Sequence, residues 1–266
     1  MSRILITGSS DGLGLQAARL LIAAGHDVVL HARNAARAAD TAAAAPGAGG
    51  VLVADLSSIE QTTALAADAN ASGPFDAVIH NAAVGYREPR RIETVDGLAH
   101  VFAVNVLAPY LLTALVTPPR RLVYLSSGMA TGGDPALDDL QWTRRRWDGS
   151  QAYTDSKLFD AVLAFAMARR WPGVLSNAVE PGWVPTKMGG PGAPDDLVQA
   201  PVTQAWLAAS ADPEARVSGR YFYHLRRKAT HPAARDETVQ EGLLAACAEL
   251  TGVKLGSGPT VAERPA

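Results

Sequence analysis

Two side chains suited to proton transfer, Tyr153 and Lys157, are four positions apart in a stretch with helical spacing. On a helix, this separation places both on one face. A free tyrosine has a pKa of about 10, and a neighbouring ammonium favours the phenolate and lowers that value. Tyr153 could then give a proton to a carbonyl oxygen or take one from an alcohol. Taken alone, such a pair is more often an ordinary surface pair, so other residues must support this interpretation.

A Ser-Ser pair, Ser126 and Ser127, ends an apolar run a short distance before Tyr153. A serine hydroxyl beside the tyrosine could hold the same substrate oxygen by a hydrogen bond. Side chains alternate along a strand, so only one of the two serines can easily face such a site.

A glycine-rich turn follows the first apolar run, residues 3–7, and precedes a helical stretch over residues 15–24. Small residues let the backbone pass close to a pyrophosphate, whose charge the free N–H groups of a helix N-terminus favour. Gly8 serves the tight turn, Gly12 the close approach and Gly14 the helix–strand packing. Because it joins a strand to a helix, the turn predicts a dinucleotide site. Its candidate residues are Gly8, Ser9, Ser10, Asp11, Gly12, Leu13 and Gly14.

The second predicted strand, residues 27–31, is followed by Ala32 and Arg33. Sites specific for NAD commonly place an acidic residue here, where it bonds the ribose 2′-hydroxyl. A guanidinium can instead pair with a 2′-phosphate. We therefore expect Arg33 to select NADP(H), with NAD(H) less favoured, and Ser9 and Asn34 to add hydrogen bonds to that phosphate.

Strand and helix patterns alternate along the chain and would position these residues. Apolar strands are predicted at 3–7, 27–31, 50–53, 77–80, 122–125 and 175–179, and helices at 15–24, 34–45, 58–70, 99–116 and 154–171. Such strands imply a parallel sheet with helices on both faces. The predicted fold is therefore α/β, a doubly wound, Rossmann-type parallel sheet. We expect a single domain of residues 1–255 and a flexible tail of residues 256–266.

The composition is that of a globular chain: 266 residues, 48% apolar and 19% charged. The net charge of −2 gives no electrostatic argument for nucleic acid. We expect a soluble, cytoplasmic protein without a membrane span, a disulfide or a metal, because apolar runs are short and Cys247 is the single cysteine. The basic stretches 144–146 and 226–228 are predicted to be solvated surface.

Further segments, in order along the chain, resemble the short-chain dehydrogenase/reductase family. The turn has the spacing Thr-Gly-x-x-x-Gly-x-Gly, and Tyr153 and Lys157 form Tyr-x-x-x-Lys. The other matches are Asp55 and Leu56 after the third strand, Asn81 and Ala82 after the fourth, Asn105 in a helix, Ser127, and Pro181, Gly182, Val184 and Thr186 after the sixth. The resemblance covers approximately residues 1–225.

The resemblance implies an NADP(H)-dependent oxidoreductase that interconverts a carbonyl and an alcohol, with Tyr153 as general acid and base. It implies that Ser127, rather than Ser126, holds the reacting oxygen. It also implies that Lys157 bonds the nicotinamide ribose and that Asn105 supports a water that relays protons. The cofactor contacts that it implies include Asp55, Leu56, Asn81, Ala82, Tyr153, Lys157, Pro181, Gly182, Val184 and Thr186. Family members often assemble through the helices that carry Asn105 and Tyr153, so a homo-oligomer is one expectation.

Two other functions are alternatives. A catalytically silent NADP(H)-binding sensor or scaffold would not need the complete set of Ser, Tyr, Lys and Asn. A sugar-nucleotide epimerase of the extended type would have a longer chain and a different glycine spacing. The 25 residues between Ser127 and Tyr153 resemble those of a branch with retinol dehydrogenases, the oxidoreductase domain of WW-domain proteins and protochlorophyllide reductases.

The substrate pocket is predicted to be apolar, which favours a neutral, hydrophobic aldehyde or ketone. Its candidate residues are Val84, Tyr86, Met129, Trp183, Val184 and Met188, with Trp142 or Trp147 from residues 128–152, the long segment between Ser127 and Tyr153. Residues 187–197, rich in Gly and Pro, are predicted to form a mobile loop over the substrate.

Overall fold

A computed structural model describes residues 1–259 and contains one eight-stranded sheet. The strands are β1 (Arg3–Ile6), β2 (Asp27–Ala32), β3 (Gly50–Val53), β4 (Ala77–His80), β5 (Arg121–Leu125), β6 (Leu175–Glu180), β7 (Arg220–Tyr223) and β8 (Arg226–Arg227). Their order across the sheet is β3-β2-β1-β4-β5-β6-β7-β8. All neighbours are parallel except β8, which is antiparallel to β7. The doubly wound fold and its six predicted strands are confirmed, whereas β7 and β8 were not predicted.

Helices cover both faces of the sheet, which is why most of its central strands are largely apolar. They are α1 (Gly12–Ala23), α2 (Ala35–Ala44), α3 (Ile59–Ala71), α4 (His100–Phe102), α5 (Ala108–Leu115), α6 (Gly149–Arg170), α7 (Val202–Ala209) and α8 (Glu237–Thr251), with a π-helical segment, Ala103–Leu107, joining α4 to α5. Ile4 and Ile6 belong to the core beneath α1 and α7, and Leu5 belongs to the core on the opposite face. No helix within residues 1–259 has the length and apolar character needed to cross a membrane.

The chain changes direction across the sheet at β1. From β1 it moves outward through β2 to β3, and then returns to the other side of β1 as β4. Such a reversal leaves a crevice at the carboxyl ends of the two central strands. The glycine-rich turn after β1 and the loop that begins at Asn81 after β4 both border this crevice.

Helix α6, which carries Tyr153 and Lys157, is enclosed by the rest of the chain. Every residue from 152 to 167 is buried. Strands β5 and β6 pack on one side of the helix, and α8 and the 3₁₀ segment Pro232–Arg235 pack on others. This covering leaves the middle of α6 without a free surface for contact with a second copy.

The long segment between β5 and α6 packs against the rest of the protein. This corrects the predictions that Trp142 or Trp147 lines the substrate pocket and that all of residues 144–146 are solvated. Trp142 and Trp147 contact each other edge to face, with ring centroids 5.4 Å apart, and neither lines the substrate cavity. The guanidinium carbon of Arg145 lies 3.6 Å from the centroid of the Trp142 ring. Its NH2 donates to buried Asp155 at 2.9 Å. Arg145 is thus held by stacking and charge rather than solvated, whereas Arg144 is exposed as predicted.

The predicted tail, residues 256–266, is described as far as residue 259, and residues 260–266 lie outside the described part. Residues 253–259 form neither helix nor strand. The indole Nε1 of Trp171 donates to the carbonyl oxygen of Gly256 at 3.1 Å. The beginning of the predicted tail is therefore anchored at the end of α6.

Candidate active site

A groove of about 540 Å³ occupies the crevice between β1 and β4. Most of the predicted cofactor residues line it: Gly8, Ser10, Asp11, Gly12, Leu13, Arg33, Asp55, Leu56, Asn81, Ala82, Tyr153, Lys157, Pro181 and Thr186. Gly182 and Val184 line an adjoining cavity. Asn34 does not border either space; its side chain accepts a hydrogen bond from the backbone N–H of Arg37 and caps α2.

The glycine-rich turn is held by the loop after β4. The Asn81 Nδ2 donates to the carbonyl oxygens of Thr7 and Gly8 at 2.9 and 3.1 Å. Gly8 has a φ of 62°, and a Cβ built there would lie 2.7 Å from the Cα of Ala82. Only glycine fits this position without strain. The turn leads directly into the N-terminus of α1, whose free N–H groups suit an anionic diphosphate.

Ser9 does not face the groove, which corrects its predicted contact with a 2′-phosphate. Its side chain is 0% exposed. The hydroxyl donates to the Ile6 carbonyl at 2.9 Å and accepts from the His31 N–H at 2.8 Å. Ser9 therefore ties β1 to β2, and Ser10 is the serine of the turn that borders the groove.

His31, at the end of β2, is a supporting residue that the sequence did not reveal. Its Nδ1 accepts the backbone N–H of Gly8 at 3.0 Å, and its Nε2 lies 3.0 Å from the carbonyl oxygen of Ala54. Accepting at one nitrogen while donating at the other requires the neutral imidazole. Burial lowers the pKa of His31, although the bond to Ala54 opposes this. The neutral ring therefore holds the backbone of the glycine-rich turn at Gly8.

One end of the groove carries several charged side chains. Arg33, Arg37, Lys187 and Asp11 all line it. Asp11 Oδ2 accepts from Arg37 NH2 at 2.7 Å and from Lys187 Nζ at 2.9 Å. Burial alone would raise the pKa of Asp11, but the bonds to Lys187 and Arg37 outweigh it and lower the pKa. Arg37, in the first turn of α2, was not predicted to line the groove.

Tyr153 and Lys157 lie together at the inner end of the groove, as their spacing predicts. The Lys157 Nζ is 5.7 Å from the centroid of the Tyr153 ring. It donates to the carbonyl oxygen of Leu125 at 2.7 Å and to Asp160 Oδ2 at 2.8 Å. Lysine carries three N–H donors, so one remains for a ligand in the groove.

The two serines at the end of β5 have separate roles. The Ser126 hydroxyl donates to the carbonyl oxygen of Lys157 at 2.7 Å and so braces α6. Ser127 lines the adjoining cavity together with Tyr153. Tyr221 lies beneath this pair, with its hydroxyl 2.9 Å from the Ser127 carbonyl oxygen. The geometry therefore makes the Ser127 hydroxyl, not that of Ser126, available beside Tyr153.

The pKa of Tyr153 is raised, which differs from the expected lowering. Burial is the largest cause; the Lys157 ammonium opposes it, and the Asp160 carboxylate adds to it. The sequence indicated the effect of Lys157, which lowers the pKa. It did not indicate burial or the Asp160 carboxylate, which both raise the pKa, because these effects depend on tertiary packing.

Asn105 lies in the π-helical segment between α4 and α5. Its Oδ1 accepts the N–H of Val84 at 2.9 Å, and its Nδ2 donates to the Val84 carbonyl at 3.0 Å and to the Ser156 hydroxyl at 2.9 Å. The side chain therefore joins the loop after β4 to α6. π-Helical turns of this kind often occur at functional sites.

A second cavity of about 480 Å³ adjoins the groove at Tyr153. Its apolar wall contains the predicted residues Tyr86, Met129, Trp183, Val184 and Met188, whereas Val84 lines the groove instead. Another part of the cavity lining is polar and was not predicted. It consists of Glu180, Asp195, Tyr223 and Lys228. Lys228 is exposed, as predicted, but its ammonium also pairs with buried Glu180 at 2.6 Å. Within residues 1–259, no group of His, Cys, Asp or Glu side chains is arranged to hold a metal ion.

Comparison with known proteins agrees with this geometry. A family model described as short chain dehydrogenase matches residues 2–131. The uncharacterized oxidoreductase AN7799 of Emericella nidulans is 47% identical, over 97% of this chain and 100% of its own length. The chain belongs to the short-chain dehydrogenase/reductase family. Human retinol dehydrogenase 13 is 31% identical over 98% of this chain and 87% of its own, in keeping with the retinol dehydrogenase-like branch of that family.

A solved structure of the same fold is a putative uncharacterized protein from Mycobacterium paratuberculosis. It superimposes with a TM-score of 0.80 at 24% identity, over 96% of this chain and 95% of that one. The similarity in fold therefore covers nearly the whole chain, beyond the residues that the family model matches.

Proposed function

We propose that the protein is an NADP(H)-dependent oxidoreductase that interconverts a carbonyl and an alcohol on a hydrophobic substrate, acting in the cytoplasm. The position of Tyr153 carries this proposal, because its side chain lines both the groove and the adjoining cavity. A substrate in the cavity and a nicotinamide in the groove would meet at this point. A proton donor is required there, and orientation of the reactants contributes much of the rate.

When bound, a nicotinamide supplies or accepts the hydride. Tyr153 gives its proton to the substrate oxygen during reduction and takes it back during oxidation. Ser127 donates a hydrogen bond to the same oxygen and stabilises the negative charge that develops on it. Lys157, held by Leu125, places a positive charge beside the phenol and keeps one N–H for the cofactor ribose.

The preference for NADP(H) is supported by the basic side chains that line the groove. Arg33 follows β2 and borders the groove, and Arg37 adds a second guanidinium to its lining. A guanidinium binds phosphate through paired, charge-assisted hydrogen bonds. Asp11 already engages Arg37, so Arg33 is expected to make the main contact.

The hydrophobic substrate is supported by the apolar wall of the cavity and by the relative named retinol dehydrogenase 13. We expect bulky hydrophobic aldehydes and ketones to outperform small polar or phosphorylated ones in kcat/KM. The ion pair of Glu180 with Lys228 leaves no uncompensated cation for a phosphate in the polar part of the wall.

Loss of NADPH absorbance in the presence of a panel of aldehydes and ketones tests the proposal. Hydrophobic members should be reduced, and replacement of NADPH by NADH should slow the reaction. Preference for charged sugars or phosphorylated carbonyls would contradict the substrate class. A protein that binds NADPH tightly but reduces no member of the panel would instead support a silent sensor or scaffold.

A further inference from the structure

A buried carboxylate, Asp160, lies three residues after Lys157 on α6. Both side chains are 2% exposed, and the Lys157 Nζ is 2.8 Å from Asp160 Oδ2. A buried ion is strongly destabilising unless a partner of opposite charge offsets it. Lys157 supplies that charge, and the Leu125 carbonyl fixes the other side of the ammonium at 2.7 Å. The protein itself therefore holds the lysine between two acceptors.

The other ionisable groups around Asp160 are phenols. Tyr153 lies on the same helix, Tyr124 on β5 and Tyr221 on β7, and the Asp160 charge acts on all three. Glu180 contacts Tyr221 at 3.0 Å and is itself paired with Lys228.

Near Tyr124, the Thr113 hydroxyl lies 2.7 Å from the Tyr124 hydroxyl and 3.2 Å from His80 Nε2. Burial lowers the pKa of His80 to about 3, so this ring is neutral. Among the neighbours described here, Lys157 is the cation that balances Asp160.

The two charges have opposite effects on Tyr153. The Lys157 ammonium favours the phenolate, whereas the Asp160 carboxylate favours the protonated phenol. Burial alone would lower the pKa of Lys157, but Asp160 outweighs this and raises it, so the lysine stays charged. The field that Tyr153 experiences is therefore that of a pair rather than of a lone cation.

We propose that Asp160 is a positioning residue that fixes the Lys157 ammonium and, by cancelling part of its charge, keeps Tyr153 in the proton-donating form up to alkaline pH. The inference rests on the proposed role of Tyr153 as general acid and base. It also specifies the favoured direction of the reaction. A protonated Tyr153 can donate the proton that carbonyl reduction requires, whereas alcohol oxidation needs the phenolate, which forms only at a higher pH.

The test is Asp160→Asn, which removes the charge but retains the size and an oxygen acceptor for Lys157. A unit charge roughly 10 Å away at protein-like effective dielectric shifts a pKa by about one unit. The pH at which reductive kcat/KM falls should therefore move about one unit toward acid. The pH at which oxidative kcat/KM rises should move in the same direction.

Asp155→Asn is a matched control. Asp155 lies on the same helix, its side chain is 4% exposed, and it pairs with Arg145 in the long segment rather than with Lys157. The substitution makes the same change of charge, so general weakening of α6 should affect both variants. The pH profile of Asp155→Asn should match that of the parent.

A second measurement does not depend on turnover. Ionisation of Tyr153 is followed by phenolate absorbance as the difference between the parent and Tyr153→Phe, and again in the Asp160→Asn background. A lower midpoint in that background supports the inference, and an unchanged midpoint overturns it even if no substrate is found. If Asp160→Asn does not fold, the same difference is measured in Asp160→Ser, which also removes the charge: a lower Tyr153 midpoint supports the inference, and an unchanged midpoint overturns it.

Discussion

Arg33 is predicted to determine which nicotinamide cofactor the protein prefers. Its side chain is exposed and lines the groove, while Arg37 and Lys187 are both engaged by Asp11. A charge-assisted hydrogen bond contributes about 1.5–3 kcal/mol, and exposure to solvent places Arg33 at the lower end of that range. Arg33→Ala should therefore weaken NADPH binding roughly 10-fold and leave NADH binding nearly unchanged, because NADH has no 2′-phosphate.

The assay is the dissociation constant of each cofactor, measured by calorimetry at one fixed, low ionic strength because salt screens exposed charges. Arg19→Ala is the control, since Arg19 is an arginine on α1 that bonds the Ala44 carbonyl and does not line the groove. Asp11→Asn should have the opposite effect, because it removes a carboxylate near the phosphate and frees Arg37. Equal affinity of the parent for NADPH and NADH, or equal weakening of both by Arg33→Ala, would refute the reasoning.

Three further predictions concern the rest of the fold. Amide hydrogen exchange in residues 187–197 should slow when NADP⁺ and substrate are added together, and an unchanged rate would argue against a closing loop. We expect no dimer that forms through α6, because residues 152–167 are already buried. If light scattering finds a dimer, substitutions on α6 should leave it intact, and substitutions there that break it would contradict this. Arg145→Ala should lower the free energy of unfolding in urea by about 1–3 kcal/mol, since it removes the stacking on Trp142 and leaves Asp155 without its cation. Arg144→Ala, at an exposed position, should change it by less than about 0.5 kcal/mol, and equal effects of the two substitutions would show that the long segment is not held as described.

The sheet was predictable where its strands are buried and apolar. The first six strands are largely apolar, and all of them except the edge strand β3 are buried between helices; each is followed by a polar or glycine-rich turn. Strand β7, with the sequence Arg-Tyr-Phe-Tyr, alternates less clearly, and β8 consists of two arginines. Their pairing depends on the edge formed by β6, which no local pattern indicates.

The candidate site was predictable where spacing along the chain determines geometry. Tyr153 and Lys157 meet because they are four residues apart on one helix, and the glycine turn opens onto the crevice because it follows β1. Ser9 was assigned wrongly, because its burial depends on hydrogen bonds to β2 that local sequence does not show. Asp160 was not among the predicted site residues, although its three-residue spacing from Lys157 places it near the same face of α6.

The polar wall of the substrate cavity could not be predicted, because it joins distant parts of the chain. Glu180 precedes the loop after β6, whereas Lys228 follows β8, and only the β6–β7–β8 arrangement brings them within 2.6 Å. The same holds for the stacking of Arg145 on Trp142. A basic run has the same composition whether it is solvated or folded inward.

The central claim, that Tyr153 transfers the proton to the substrate oxygen, is tested most directly by single-turnover reduction of a hydrophobic carbonyl with NADPH. Tyr153→Phe should slow the chemical step by about 10²–10⁴-fold while the dissociation constant for NADPH stays near that of the parent. Tyr110→Phe is the matched control, because the Tyr110 hydroxyl bonds the Val253 carbonyl away from the site and its loss should leave the step unchanged. A Tyr153→Phe protein that reduces the carbonyl at close to the parental rate would contradict the account.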